Sequence, residues 1–136
     1  MEISDALDFV RANHRGVLIT YGPGGRIQSS PVVASVDDAG RLAISSRETA
    51  YKVKNLVRDP RATYCGFQDG FFGAWVQVDG PVEVVDLPEA MEPLVDLYRS
   101  IAGEHADWDD YRAAMEREQR VVIRVRAERA GPSKAG

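Results

Sequence analysis

Cysteine and histidine are scarce in this chain. Cys65 is the single cysteine among 136 residues, and the two histidines, His14 and His105, stand far apart. One thiol cannot form an intrachain disulfide or a zinc site of several cysteines, and neither histidine has a partner at His-x-His or His-Glu-x-x-His spacing. We therefore expect no metal site, and a reducing compartment such as the cytoplasm.

Long apolar runs and an excess of positive charge are also lacking. No stretch approaches the ~20 apolar residues of a membrane span, and the N-terminal residues MEISDALDFVRANH contain no basic segment followed by an apolar one. The formal net charge is −4, whereas nucleic acids and anionic membranes attract basic surfaces. We expect a soluble protein with a small-molecule partner and without nucleic-acid or membrane partners, so any anion site must be local.

The usual nucleotide and nucleophile motifs are missing too. The glycine-rich segment GPGG lies between two predicted strands, in a hairpin turn, whereas phosphate-binding loops join a strand to a helix. No Gly-x-Ser-x-Gly sequence is present. The sequence therefore identifies no catalytic residue.

The residues that are present predict a folded domain of ordinary composition. Hydrophobic residues make up 44% of the chain and charged residues 28%, as in typical globular proteins, and we expect one domain over 1–136 with a short polar tail over 130–136. The first half of the chain predicts a helix capped by Ser4, strands at 17–21, 26–36 and 41–46, and a helix capped by Thr49 that ends before Pro60. The second half predicts strands in RATYCGFQ and AWVQVDGPVEVVD, followed by helices in LPEAMEPLVDLYRSIAG and DWDDYRAAMEREQR, the latter capped by Asp107. A strand in RVVIRVRAER comes last. Short turns between strands favour an α+β fold, an antiparallel barrel or strongly twisted sheet, over a doubly wound parallel sheet.

Pro31 lies inside the second predicted strand. Because proline has no N–H to donate to a neighbouring strand, it is confined to sheet edges and bulges. We expect this strand to be at an edge, or bulged, at Pro31.

Cations gather at the start of the second helix, where the helix dipole disfavours them. Arg47 precedes the helix, and Lys52 and Lys54 lie in its first turns. Lys52 shares one flank with Asn55, and Lys54 shares the other with Arg58. Free helix N–H groups together with Arg47 and Lys52 are typical of a phosphate or carboxylate site; the alternative is a set of solvated surface cations.

Polar side chains on the strands offer a second candidate surface. Gln28, Ser29 and Ser30 follow one another on the second strand, and Ser45 and Ser46 end the third. If these two strands pair, the side chains form one polar strip that leads to the helix start; the alternative is a sheet face exposed to solvent. Elsewhere, Trp75 and Gln77 project from one face of their strand, where an aromatic side chain would cover a bound ring or pack at a subunit interface.

Four segments together resemble a known family. They are RIQSSPVVASVDDAGRLAISS, RETAYKVKNLVRDPRATYC, DGFFGAWVQVDGPVEVV and RAAMEREQRVVIRVRAERAG. In this order, over nearly the whole chain, they resemble the actinobacterial, deazaflavin (coenzyme F420)-dependent branch of the pyridoxamine 5'-phosphate oxidase-like flavoproteins.

This resemblance implies a mostly antiparallel, six-stranded split β-barrel with peripheral helices, the FMN-binding split barrel, and a homodimer with cofactor sites at the subunit interface. The cofactor-binding residues that it implies are Gln28, Ser29, Ser30, Pro31, Ser45 and Ser46 near the ring, Arg47, Lys52 and Asn55 toward the phosphate, Lys54 at the acidic tail, and Trp75 and Gln77 from the partner subunit. Close relatives carry GRAK where this chain has TAYK at 49–52. Ala50 cannot supply a guanidinium, which leaves Arg47 as the nearest substitute.

The activity implied by the resemblance is hydride transfer between coenzyme F420 and a small conjugated or oxidised organic substrate. Two alternatives remain: a non-catalytic F420 carrier and an FMN-dependent oxidoreductase of the same fold. Cations near Lys54, Arg58 and Arg61 would assist only a cofactor with a long anionic tail.

Overall fold

This computed structural model describes residues 1–132 of the chain. These residues form seven strands, four α-helices and a 3-10 turn at Pro23–Gly25. The helices are α1 (Ile3–Ala12), α2 (Tyr51–Arg58), α3 (Met91–Ala102) and α4 (Trp108–Arg117). The strands are β1 (Arg15–Tyr21), β2 (Ile27–Val36), β3 (Leu42–Arg47), β4 (Arg61–Phe67), β5 (Trp75–Val85), β6 (Arg120–Val125) and β7 (Arg129–Gly131).

Six of these strands form a closed antiparallel barrel. Their order is β4-β1-β2-β3-β6-β5, and β4 pairs with β5 to close the ring. Two strands change their pairing partner along their length. β2 pairs with β1 along Ile27–Val33 and with β3 along Ala34–Val36. β5 pairs with β4 up to Pro81 and with β6 after it. The prediction of an α+β fold with a mostly antiparallel six-stranded split barrel is confirmed.

Pro31 lies where β2 has one neighbour. It pairs with Val17 of β1, and the pairing of β2 with β3 begins three residues later, at Ala34. The missing N–H of proline therefore costs no ladder hydrogen bond on that side. The edge position predicted for Pro31 is confirmed.

The last strand, β7, lies outside the barrel and was not predicted. Its residues pair with Gln77–Asp79 of β5. The connection from β6 to β7 passes close to Gly80 of β5. A glycine is required there, because a Cβ would collide with the carbonyl oxygen of Arg126. Ala130 and Gly131, the first residues of the predicted polar tail, thus belong to β7, and the remainder of that tail from residue 133 lies outside the described residues.

Alternation along the strands separates two apolar cores. Inside the barrel, the buried side chains include those of Leu18, Ile44, Tyr64, Val78 and Ile123. Burying each of these side chains contributes about 1.5–3 kcal/mol. α1 and α2 pack against this core through their own buried residues.

The second core lies between the sheet and the helix pair α3 and α4. Ala43 of β3 and Val122 of β6 face away from the barrel interior and pack with Leu94, Leu97 and Met115 of the helices. α4 begins at its predicted cap, since Asp107 Oδ1 accepts from the N–H of Asp110 at 3.1 Å. These two helices therefore stand over one outer face of the barrel. Among residues 1–132, no helix has the length and apolar character needed to cross a bilayer.

Candidate functional site

A cavity of about 900 Å³ lies between the helix pair and the outer surface of the barrel. The helices contribute an apolar wall, and Arg47 of β3, Arg120 of β6 and Lys52 of α2 contribute cations, which form the cationic end of the cavity. The lining residues are Arg15, Gly16, Pro31, Val32, Val33, Ser45, Ser46, Arg47, Ala50, Lys52, Phe67, Leu97, Tyr98, Ile101, Ala102, Tyr111, Met115 and Arg120. The volume is that of a site for a cofactor or another small molecule.

The cationic end is built by sheet register. Arg47 at the end of β3 pairs directly with Arg120 at the start of β6, so two positive side chains face each other across adjacent strands. Like charges at such positions repel. Glu118 relieves part of this repulsion, because its Oε1 atom accepts hydrogen bonds from Arg47 Nη2 at 3.1 Å and Arg120 Nη2 at 2.9 Å. The hydrogen bond from Arg120, with the positive charges of Arg120 and Arg47, holds the pKa of Glu118 below its ordinary value.

Lys52 reaches the same end from α2. This helix exists because Val53 and Leu56, three residues apart, are buried in the barrel core, and it ends before the Asp59–Pro60 pair. Burial lowers the pKa of Lys52, and the nearby charge of Arg120 lowers it further. An ammonium whose charged form is disfavoured in this way gains from a bound anion, which supplies the missing countercharge.

The predicted cap of this helix is wrong. Ala50, and not Thr49, precedes the first helical residue, and no side chain caps it. Thr49 instead lies in a turn closed by the hydrogen bond from the Ala50 N–H to the Arg47 carbonyl at 3.1 Å. Lys52 is therefore the second helical residue, and its backbone N–H lies among the first-turn donors that have no partner within the helix.

The apolar wall consists of aromatic and aliphatic side chains of α3 and α4. The ring centroid of Tyr98 lies 5.1 Å from that of Tyr111, and Tyr98 also contacts the rings of His105 and Trp108. The Tyr111 hydroxyl donates to the carbonyl of Leu94 at 2.9 Å, which fixes the ring in place. The cavity therefore combines a fixed wall of aromatic and aliphatic side chains with a group of cations, an arrangement suited to a ring that carries an anionic group.

Comparison with known proteins decides the family. The family profile described as pyridoxamine 5'-phosphate oxidase matches residues 4–133. The chain belongs to the pyridoxamine 5'-phosphate oxidase family. Its fold is the split barrel of that family's flavin- and deazaflavin-binding oxidoreductases.

Solved structures of similar fold span most of the chain. A conserved hypothetical protein from Mycobacterium tuberculosis is 25% identical with a TM-score of 0.77, and the alignment covers 100% of this chain and 93% of that one. A protein named F420 reductase is 21% identical with a TM-score of 0.67, covering 88% and 90%. An FAD-binding protein from Mesorhizobium loti is 22% identical with a TM-score of 0.68, covering 96% and 92%. The last two similarities show the fold alone.

Within this family member, part of the predicted cofactor-binding set lines the cavity and part does not. The residues that line it are Pro31, Ser45, Ser46, Arg47 and Lys52. Those outside its lining are Gln28, Ser29, Ser30, Lys54, Asn55, Trp75 and Gln77.

The polar strip predicted along β2 and β3 is divided by the sheet. β2 pairs with β3 over three residues only and ends that contact before Ser45, while Ser45 and Ser46 pair with Val122 and Val121 of β6 on the other edge of β3. On β2, Ser30 pairs with the buried Leu18 and faces the barrel interior, where its hydroxyl has no hydrogen-bond partner. Ser29, the next residue, points to the opposite face.

Asn55 is directed into the barrel wall. It is 6% exposed, and its amide nitrogen donates to Thr20 Oγ1 at 3.1 Å and to Gln28 Oε1 at 2.6 Å. Its carbonyl oxygen accepts from Arg58 at 3.1 Å. Asn55 and Gln28, both predicted to contact a cofactor, therefore contact each other and tie α2 to β1 and β2.

The three cations predicted for an acidic tail lie away from the cavity lining. Lys54 stands 5.5 Å above the ring of Tyr51. Arg58 donates to the carbonyl of Tyr21 at 2.9 Å, and Arg61 pairs with Asp59 at 3.1 Å. Each of the three thus has a neighbour of its own: the Tyr51 ring for Lys54, the Tyr21 carbonyl for Arg58 and Asp59 for Arg61.

Trp75 and Gln77 lie on the outer face shared by β1, β2, β4 and β5. Trp75 pairs with Phe67 and Gln77 with Cys65. Burial raises the pKa of the Cys65 thiol, so this cysteine is no more reactive than an ordinary one. The face is partly exposed and carries both apolar and polar side chains, and Phe67 connects it to the rim of the cavity.

Arg120, Glu118, Tyr98 and Tyr111 belong to the site but were missed by sequence reasoning. The signal for Arg120 was present, because it begins the strand RVVIRV beside the charged run MEREQ. Its position opposite Arg47 depends on a pairing between distant segments, which local patterns do not reveal.

Proposed function

We propose that this protein is a cytoplasmic F420-dependent oxidoreductase, which transfers a hydride between coenzyme F420 and a small conjugated or oxidised organic substrate. The observation that carries the proposal is the cavity itself, which is lined by three cations, Arg47, Lys52 and Arg120, and by an apolar wall from α3 and α4. The resemblance of four segments to the F420-dependent branch, and the likeness in fold to a protein named F420 reductase, support the choice of cofactor. A single cysteine is consistent with a reducing compartment.

The cavity fits a phosphate-bearing tricyclic cofactor. Its volume accommodates a ring system of that size, and the Arg120 Nε atom is a buried donor without a partner. Lys52, Arg47 and the first N–H groups of α2 would hold the phosphate. Tyr98 and its neighbours on α3 and α4 would lie against apolar parts of the ligand.

When bound, the deazaflavin supplies the hydride chemistry. The residues of this chain contribute binding and orientation. The cations fix the phosphate end, and the packed aromatic cluster limits the positions of a ring beside it. Leu97, Ile101 and Met115 exclude water from that side of the cavity, which strengthens the electrostatic contacts at the cationic end.

We propose further that two copies of the chain form a homodimer and share each site. The outer face of β1, β2, β4 and β5 exposes the apolar side chains of Ile27, Val33 and Trp75, and the turn between β4 and β5 exposes those of Phe71 and Phe72. Exposed apolar surface of this kind marks an interaction site. Because Trp75 and Gln77 lie on this face and outside the cavity of their own chain, they are available to the cavity of a second copy.

The first prediction concerns cofactor choice. Purified protein titrated in parallel with coenzyme F420, FMN and FAD should bind coenzyme F420 most tightly, as measured by fluorescence. Raising the salt concentration should weaken binding of the long-tailed cofactor more than that of FMN, since more ligand charges are screened. Equal or tighter binding of FMN would favour the FMN-dependent alternative.

The same preparation separates an enzyme from a carrier. Reduced coenzyme F420 should be oxidised when quinones, enones and tetrapyrroles are supplied as a panel of acceptors. Tight binding without turnover of any acceptor would favour the carrier.

The second prediction tests the shared site. We expect light scattering to give the mass of a dimer, and Lys52→Ala and Trp75→Ala each to weaken cofactor binding. After the two variants exchange subunits, roughly a quarter of the sites should be intact, because a mixed dimer has one site free of both substitutions. If mixing restores no high-affinity sites, Lys52 and Trp75 do not act across an interface.

A further inference from the structure

One carboxylate oxygen serves two guanidinium groups at the cationic end. Glu118 Oε1 accepts from both Arg47 and Arg120. Glu118 itself is absent from the cavity lining, whereas both arginines belong to it. The carboxylate therefore contacts both cations without itself lining the cavity.

This arrangement leaves Arg120 incompletely satisfied. Its Nε atom is buried and has no hydrogen-bond partner among the described residues. An unmade hydrogen bond at a buried donor is costly, more so on a charged group. The contact with Glu118 thus leaves one donor of Arg120 unpaired. The single negative charge of Glu118 also cannot neutralise Arg47, Lys52 and Arg120 together.

We infer that Arg120 is a third anion-binding cation of this cavity, and that Glu118 and a phosphate group of the ligand compete for Arg120. In the free protein, Glu118 restrains Arg120 and offsets its repulsion from Arg47. A phosphate in the cavity offers several acceptor oxygens, enough to engage Lys52 and to attract Arg120 away from Glu118. This inference deepens the proposed function, because it concerns the cavity in which the cofactor is placed.

A purely structural role of Glu118 makes the opposite prediction. If Glu118 only holds the arginines in a binding-competent position, its removal lets them separate and weakens anion binding. If Glu118 competes with the anion, its removal strengthens binding. The sign of the change therefore distinguishes a positioning carboxylate from a competing one.

The experiment measures the dissociation constant of inorganic phosphate at fixed ionic strength, by calorimetry, for the full chain and five variants. Glu118→Gln should bind phosphate about three- to tenfold more tightly, the equivalent of two partly exposed ion pairs. Arg120→Gln should bind it about tenfold more weakly. The matched controls are Glu116→Gln and Arg117→Gln, which remove the same charges from exposed neighbours in sequence, and we expect little change in either.

Unchanged or weaker phosphate binding by Glu118→Gln would overturn the inference, and so would an unchanged constant for Arg120→Gln. Circular dichroism of each variant shows whether a loss of binding comes from unfolding, and Arg120→Lys, which keeps the charge, should then recover part of the affinity. The proposed function fails separately. If the phosphate results hold while no deazaflavin or flavin binds, the cofactor assignment is wrong and the role of Arg120 stands.

Discussion

Replacing Lys52 by alanine should weaken binding of the phosphate-bearing cofactor about 5- to 150-fold, the loss of one charge-assisted contact of about 1–3 kcal/mol. Lys52 is the cation for which the structure gives the strongest reason to expect a ligand. Burial and the charge of Arg120 both disfavour its ammonium form in the free protein. A bound anion favours the ammonium form of Lys52 and interacts with a side chain that already lies at the cavity. Fluorescence titration of the variant measures the change.

The depressed pKa of Lys52 also predicts how binding depends on pH. The ammonium form binds the anion, so affinity should be constant at low pH and fall as the pH rises through the pKa of the free protein. Because that pKa is lowered, the fall should begin at a lower pH than an ordinary lysine would give. Lys52→Arg is the matched control, since an arginine keeps its charge over this range. That variant should bind the cofactor without the alkaline loss of affinity.

Two results would contradict these roles of Lys52. One is an unchanged dissociation constant for Lys52→Ala. The other is an alkaline fall in affinity that persists in Lys52→Arg, which would assign the titration to another group. The comparison of alanine with arginine also separates charge from side-chain volume, because both variants alter the shape at this position.

The architecture was predictable because it depends on patterns that repeat along the chain. Alternating strands, and turn residues between them, locate the ends of the first five barrel strands to within about two residues, whereas the strand predicted in RVVIRVRAER ends four residues early, at Val125. The short strand β7 was missed, because Arg129, Ala130 and Gly131 have no period that distinguishes a strand from a tail. Its partner, β5, lies fifty residues away, and local propensity contains no information about that pairing.

The candidate site was predictable where it depends on local sequence and not where it depends on register. Arg47 and Lys52 were found because cations at a helix start conflict with the helix dipole. Ser29 and Ser30 were grouped together because they are adjacent, although adjacent residues of a strand face opposite sides. Arg120 became visible only when pairing of β3 with β6 placed it opposite Arg47.

Replacing Asn55 by alanine should lower the free energy of unfolding by about 2–3 kcal/mol, because a buried amide network would lose its centre. The amide of Asn55 joins α2 to Thr20 of β1 and Gln28 of β2. Thr20 is fully buried, so its hydroxyl would be left without this partner and without access to water. Urea unfolding measures the change. Val57→Ala is the matched control on the same helix, and since Val57 is 72% exposed, we expect less than about 0.5 kcal/mol from it.

The result for Asn55 decides between its two assignments. A residue that binds the cofactor phosphate directly, as the family resemblance implies, would lose affinity on substitution while stability changed little. A residue that anchors α2 would lose stability first, and affinity would fall only as far as displacement of the helix moves Lys52. Measuring both quantities on one preparation therefore tests the position of α2 as a whole. If affinity collapses while stability is unchanged, the amide must leave Thr20 and Gln28 when the ligand binds.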